Sequence, residues 1–185
     1  VSAAALACLG NLLAPEKVAA MRPDFMAGLS LGEYTALYAA DRIDFADALR
    51  LVTLRGAAMQ KAAVAVPSGM VAVMGLDEAK ANELCRAAAQ SEPLVAANFN
   101  APGQVVISGS AEACKRAEAM AKDFGASGAV ALKVAGAFHS PLMSPAAEEL
   151  RAALDAVTFR APRGTAPRAD RTAPADPSDG QEFAS

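Results

Sequence analysis

Cysteine is scarce in this chain and offers no pairing pattern. Its 185 residues hold three, Cys8, Cys85 and Cys114, an odd number, widely spaced and without any Cys-x-x-Cys. That excludes a disulfide framework, gives no zinc site, and points to a reducing compartment. Basic runs are missing as well: 17 Lys and Arg stand against 20 Asp and Glu for a net charge of −3, so nothing could grip a phosphate backbone and nucleic acid is not an expected partner. No hydrophobic run is long enough for a bilayer. The longest uncharged apolar stretch, Val1 to Ala14, falls short of the roughly 20 residues a span needs and lacks the basic leader of a secretory signal. It reads as a buried helix with Leu6, Leu9 and Leu13 on one side, and no membrane partner is expected. Neither the Gly-x-Gly-x-x-Gly fingerprint nor a Gly-Lys-Ser/Thr phosphate loop occurs, which leaves nucleotide chemistry without support.

What is present describes one globular domain, or a domain with a small insert: 54% apolar and 20% charged residues. Phe25-Met26-Ala27 is a short apolar run that enters Gly28-Leu29-Ser30-Leu31-Gly32, after which Glu33 to Ala40 are good helix formers; the order predicts strand, sharp turn, helix. Asp44 then caps a second helix whose inward face is Phe45, Leu49, Val52, Gly56 and Met59, with Arg55 beside that face. From Pro67 the grammar changes. Met70–Met74 reads as a strand, Asp77 opens a helix to about Ala89, Leu94–Asn98 is a strand, Pro102-Gly103 a turn, Val105–Ser108 a strand, Ser110 opens a helix ending near Gly125, and Val130–Val134 is a fourth strand. The sum is βαββαβ, the split ferredoxin-like unit, expected as an inserted subdomain over residues 66–134. A large domain surrounds it as residues 1–65 and 135–163, the latter with a helix opening at Ser144-Pro145 and carrying Leu150, Leu154 and Val157 on one side. Residues 164–185 contain no Leu, Ile, Val or Met and are expected to form a disordered or non-homologous tail, because they cannot bury enough apolar area to offset their ordering entropy.

Gly28-x-Ser30-x-Gly32 between strand and helix is the pattern of a nucleophile elbow, which exposes a serine oxygen at a helix N-terminus. The plainer reading is a glycine-rich turn in which Ser30 only caps the helix. A serine needs a base, and the chain offers one histidine, His139; its loop, Gly136-Ala137-Phe138-His139-Ser140-Pro141, suits a positioned group, while a lone histidine is as often a residue without chemistry. Arg55 is the third candidate. Its planar fork fits a carboxylate, and the alternative is a surface ion pair with a nearby Asp or Glu.

These segments are similar to a known family. Gly28-Leu-Ser-Leu-Gly-Glu-Tyr34, Leu54-Arg-Gly-Ala-Ala-Met-Gln60, Asn98-Phe-Asn-Ala-Pro-Gly-Gln-Val-Val-Ile-Ser-Gly109 and Gly136-Ala-Phe-His-Ser-Pro-Leu-Met143 resemble, in order and spacing, the malonyl-CoA:acyl carrier protein transacylases of fatty acid synthesis. The resemblance runs from about Phe25 to Arg163. It implies an α/β-hydrolase-like acyltransferase core with the ferredoxin-like insert, and a reaction in which Ser30 accepts a malonyl group from malonyl-CoA and passes it to the phosphopantetheine thiol of acyl carrier protein. By the same resemblance His139 is the base, Arg55 holds the free malonyl carboxylate, and the N–H of Leu31 forms half of the oxyanion hole. Phe138 is similar to the malonyl-selecting form of that loop, Met59 and Asn98 match positions that line the family's site, and the resemblance implies no metal or bound cofactor.

Leu29, next to the nucleophile, is similar to the plastid branch of the family, so the expected compartment is the plastid stroma or the bacterial cytoplasm. The Gly-Gln-Gly-Ser-Gln segment that supplies the second oxyanion donor does not precede Val1, and the Asn/Gln region that orients the histidine does not follow Arg163. A monomeric fragment truncated at both ends is therefore expected. Two other functions compete: a serine hydrolase, for which Asp123 is the acid nominated between Ser30 and His139 although it falls badly placed inside a predicted helix, and a non-catalytic module that binds carrier protein.

Overall fold

The structure is a computed structural model and describes residues 25–161. The expected N-terminal helix, Cys8 and the expected tail from Gly164 lie outside the described residues. In chain order the elements are α1 (Leu31–Ala39), α2 (Phe45–Ala65), β1 (Ser68–Met74), α3 (Glu78–Ala89), β2 (Leu94–Ala101), β3 (Gln104–Ser110), α4 (Ala111–Met120), which runs into a 3₁₀ turn (Ala121–Phe124), β4 (Gly128–Ala131), a second 3₁₀ turn (Pro141–Met143) and α5 (Ser144–Asp155). They divide into two compact units, one comprising residues 25–56 and 149–161 of the described chain, the other residues 57–148.

In the second unit, the run β1-α3-β2-β3-α4-β4 builds a four-stranded sheet in the order β2-β3-β1-β4, with every neighbouring pair antiparallel. Strand periodicity explains which side is dry: Val71 and Val73 of β1 and Val105 and Ile107 of β3 point to one face and form a core with Leu84, Cys85 and Ala88 of α3 and Ala113, Cys114 and Ala117 of α4. The helices lie close because the residues they present are mostly alanine. Each is started by the residue the sequence nominates. The Asp77 carboxylate accepts from the N–H of Lys80 at 2.9 Å, and the Ser110 hydroxyl accepts from the N–H of Ala113 at 3.2 Å. Arg116 of α4 reaches the open end of α3, donating to the carbonyls of Ala88 at 2.8 Å and Ala89 at 3.1 Å and to Glu92 at 2.5 Å; these are carbonyls the helix itself leaves unsatisfied. Cys85 and Cys114 are free and buried. Burial pushes the Cys85 thiol up to about 12, which makes it a packing residue rather than a reactive one.

The first unit packs α1 and the first half of α2 against the end of α5. Tyr34, Tyr38, Ile43, Ala48, Leu51 and Val52 are buried, with Leu150, Leu154 and Val157 against them. Asp44 caps α2, accepting from the N–H of Asp47 at 2.8 Å, and Arg160 pairs with Asp41 at 2.5 Å.

Three sequence expectations need correction. Residues 25–28 are not a strand; Phe25 is 93% exposed, and no strand among the described residues offers this segment a ladder, without which a short apolar run has no reason to extend as β-structure. The buried stripe of α2 is Ala48, Leu51, Val52, Ala58, Ala62 and Ala63, while Gly56 is exposed and Leu49 and Met59 are half-buried. Reading only the large side chains placed the face about a fifth of a turn away, because four of the six residues in the stripe are alanine. Finally, β4 spans Gly128–Ala131 rather than Val130–Val134; its last bond to β1 is from the Leu132 N–H to the Met70 carbonyl at 2.8 Å.

Replacing Asp77 by Ala is expected to destabilise the second unit by about 1 kcal/mol, measurable as a lowered midpoint in chemical denaturation with an unchanged slope.

Candidate active site

The geometry around Ser30 begins with a backbone crossing. A Cβ added at Gly28 would stand 2.0 Å from the carbonyl carbon of Gly32 and 2.1 Å from its oxygen, so the chain turns so tightly that only glycine fits there. The two flanking glycines are not equivalent, since a Cβ at Gly32 would meet nothing within 4 Å among the described residues. Ser30, at the apex, has φ 54 and ψ −108, a conformation that costs on the order of 1–3 kcal/mol for a residue with a side chain. Glu33 holds it. Its carboxylate accepts from the Ser30 N–H at 3.0 Å, the reach-back of a Ser-x-x-Glu capping box.

The Ser30 hydroxyl meets Arg55: Nη2 of Arg55 donates to Ser30 Oγ at 2.6 Å. Arg55 arrives there because it occupies the next three- and four-residue step of the buried α2 stripe, after Leu51 and Val52 and before Ala58. A guanidinium on a core-facing row requires partners. It takes the Ser30 oxygen on one side, and on another lies over the ring of Tyr34 at 5.9 Å from the centroid. As a donor to Oγ it leaves the hydroxyl proton free to be removed, and its charge favours the alkoxide form. The plainer reading of Arg55, a surface ion pair, does not describe this contact. Leu31 is the first residue of α1, so its N–H is among the donors that a helix leaves without an internal acceptor.

Burial raises the Glu33 carboxyl above its ordinary value, an effect opposed by the Ser30 hydrogen bond and by the nearby Arg55 charge. Burial likewise raises the Tyr34 phenol, with Arg55 again opposing. Both residues stand in the quoted motif, yet their roles were not read from it. The Ser-x-x-Glu spacing is the signal that identifies Glu33.

The remaining candidates belong to the second unit. Met59 and Phe138 pack on one small cluster with Ala58, Ala62, Ala63, Met143 and Ala146. Asn98 of β2 pairs with Val106 of β3, which is the partner row of Ala72 and Val130, so it stands on the sheet face away from α3 and α4. His139 follows β4 in the loop before the second 3₁₀ turn, half-buried and at φ 58. Asp123, the acid a hydrolase would need, is exposed on the first 3₁₀ turn. Among the described residues no group of three or more His, Cys, Asp or Glu gathers as a metal site would require, and no helix is long and apolar enough to cross a membrane.

Comparison with known proteins gives a consistent set of relatives. Residues 4–184 match the family of acyl transferase domains, a span that extends beyond the motif-bearing stretch at both ends. The chain is 49% identical over 140 residues to a malonyl CoA-acyl carrier protein transacylase of Escherichia coli O157:H7, covering 76% of this chain and 45% of that protein. The structure of the malonyl CoA-acyl carrier protein transacylase from Coxiella burnetii is similar with a TM-score of 0.76 and 39% identity, over 87% of this chain and 49% of that one. A malonyl-transacylase solved in complex with a type II PKS acyl-carrier protein is similar with a TM-score of 0.71 and 45% identity, over 76% of this chain and 45% of that one. The chain spans about half the length of the curated relatives it matches. Its mixed α/β architecture with a small antiparallel sheet agrees with theirs.

The raised carboxyl of Glu33 carries a pH signature. Above its ordinary 4.5 the unfolded chain ionises before the folded one, so the stability contributed by neutral Glu33 falls as pH rises through that window. Denaturation of Glu33→Gln across about pH 4 to 7 is expected to show a flatter decline than the parent chain.

Proposed function

The chain belongs to the acyl transferase domain family, and from that premise we propose that it transfers a malonyl group from malonyl-CoA to the phosphopantetheine thiol of acyl carrier protein through an ester on Ser30. The observation that carries this reading is the 2.6 Å contact between Arg55 and Ser30. Malonate is an acyl group whose free carboxylate lies one methylene from the reacting carbonyl, and a carboxylate receptor directly beside a serine oxygen matches that short span. The names of the relatives, and the solved complex of one with its carrier protein, support the same substrate and partner.

In this reading Ser30 Oγ attacks the thioester carbonyl as His139 takes its proton, and the N–H of Leu31 receives the developing oxyanion. The carbonyl–sulfur bond breaks, His139 returns the proton to the departing CoA thiolate, and the malonyl-serine ester remains. The carrier protein's thiol then repeats the sequence in reverse. Arg55 exchanges its Ser30 contact for the malonyl carboxylate, Phe138 favours malonyl over methylmalonyl, and Met59 and Asn98 contribute to the lining. The chemistry runs on these side chains, with no cofactor or metal in any step.

The βαββαβ order and the β2-β3-β1-β4 sheet support a ferredoxin-like insert over residues 66–134, which encloses β1 to β4, within an α/β-hydrolase-like core formed by residues 1–65 and 135–163, with 164–185 as a tail. A monomer without membrane attachment, in the plastid stroma or the bacterial cytoplasm, completes the proposal.

Arg55→Ala should slow transfer of malonyl groups by about 100-fold, close to 2.7 kcal/mol in the barrier, while acetyl transfer changes only a few-fold. Competition between malonyl-CoA and acetyl-CoA measures this, and an unchanged preference would refute the carboxylate role.

A further inference from the structure

His139 holds φ 58, a region that residues with a side chain occupy only where their surroundings fix it. It lies between the end of β4 at Ala131 and the 3₁₀ turn at Pro141, where no helix or ladder does the fixing. Two serines of the sheet are placed to do so. Ser68 and Met70 of β1 share a face, and Met70 pairs with Ser108 of β3, so both serines stand on the side of the sheet away from α3 and α4.

Ser68 Oγ accepts from the N–H of Ala137 at 3.1 Å, and Ser108 Oγ donates to the carbonyl of Phe138 at 2.6 Å. That carbonyl belongs to the peptide plane joining Phe138 to His139, and the tilt of that plane relative to the His139 Cα is what its φ measures. Gly136 lets the loop come this near, because a Cβ there would stand 2.6 Å from Ala63 Cβ and 3.2 Å from Ser68 Oγ. Ser140 closes the turn by donating to the carbonyl of Ala137 at 2.7 Å. Ser108 itself is fully enclosed, 0% exposed, directly after the apolar run Val105–Ile107. A hydroxyl in such a place is costly unless bonded, and the Phe138 carbonyl is where its proton goes.

We propose that Ser108, assisted by Ser68, is a positioning residue for acyl transfer. It fixes the Phe138–His139 peptide and so aims the imidazole. This rests on the reading of His139 as the base. Without the hydroxyl the loop relaxes toward negative φ, and the base is present but misdirected.

The chain has a single histidine, so labelled histidine in the full 185-residue chain gives one backbone HN–Hα coupling, which reports φ, and one imidazole titration, neither of which needs turnover. Ser108→Ala is expected to change both and to slow malonylation of Ser30 roughly 10- to 100-fold at saturating malonyl-CoA, with little change in apparent affinity. Ser108→Cys, close in volume but a weak donor, should behave as Ser108→Ala does; it also carries the comparison if the alanine variant fails to fold. Full rescue by cysteine would mean that Ser108 merely fills space. An unchanged coupling and titration in a folded variant would overturn the proposal, as would an altered coupling with an unchanged malonylation rate. His139→Ala separates the two ideas. Malonylation that survived it would remove the base assignment, while the coupling in Ser108→Ala would still decide whether the serine fixes the loop.

Discussion

The guanidinium of Arg55 resting on the oxygen of Ser30 is the contact around which the first unit arranges its elbow, and the one the proposed function depends on. Each partner is held there at a cost. Ser30 sits in a strained elbow that needs the Gly28 crossing and the Glu33 carboxylate, and Arg55 occupies a core-facing row where a charge is tolerated only with partners. Tyr34, the Ser30 oxygen and the field of Glu33 supply that tolerance. The same arrangement leaves an arginine fork beside the serine, able to exchange a neutral hydroxyl for an anionic carboxylate, which is the stronger partner. In the proposed function, substrate selection and nucleophile placement are thus one feature rather than two.

Strain recurs where chemistry is proposed. Ser30 and His139 both have positive φ without being glycine, and the other such residues among those described, Asp41 and Gln90, follow the ends of α1 and α3. At the latter two a helix terminus explains the conformation. At Ser30 and His139 side-chain hydrogen bonds from elsewhere in the chain stand beside the strained peptide: Glu33 and Arg55 in one case, Ser108 and Ser68 in the other. The Glu33 bond is the capping box of α1, whereas the bonds beside His139 come from β1 and β3.

Much of this was legible in the sequence. The alternation of β1 and β3, the Asp77 and Ser110 caps and the Pro102-Gly103 turn each rest on local rules, and the elements appear close to where those rules put them. Residue type and spacing singled out the elbow serine and the arginine as candidates, while the role of the arginine rested on the resemblance. What failed was the α2 face, where alanines carry most of the stripe and leave little hydrophobic contrast, and the strand expected before the elbow, where local propensity cannot supply a neighbouring strand. The two serines behind the His139 loop left no signal at all, because a serine inside a valine-rich strand reveals its purpose only when the loop it bonds, some 30 residues away, is folded onto it.

The central claim, a malonyl ester on Ser30, is most directly tested by the intact mass and peptide map of the chain and of Ser30→Ala after brief exposure to malonyl-CoA. One malonyl unit on the peptide containing Ser30, absent from the variant, is the expected result. A parent chain that remains unmodified, or an adduct that persists in Ser30→Ala, would contradict the account.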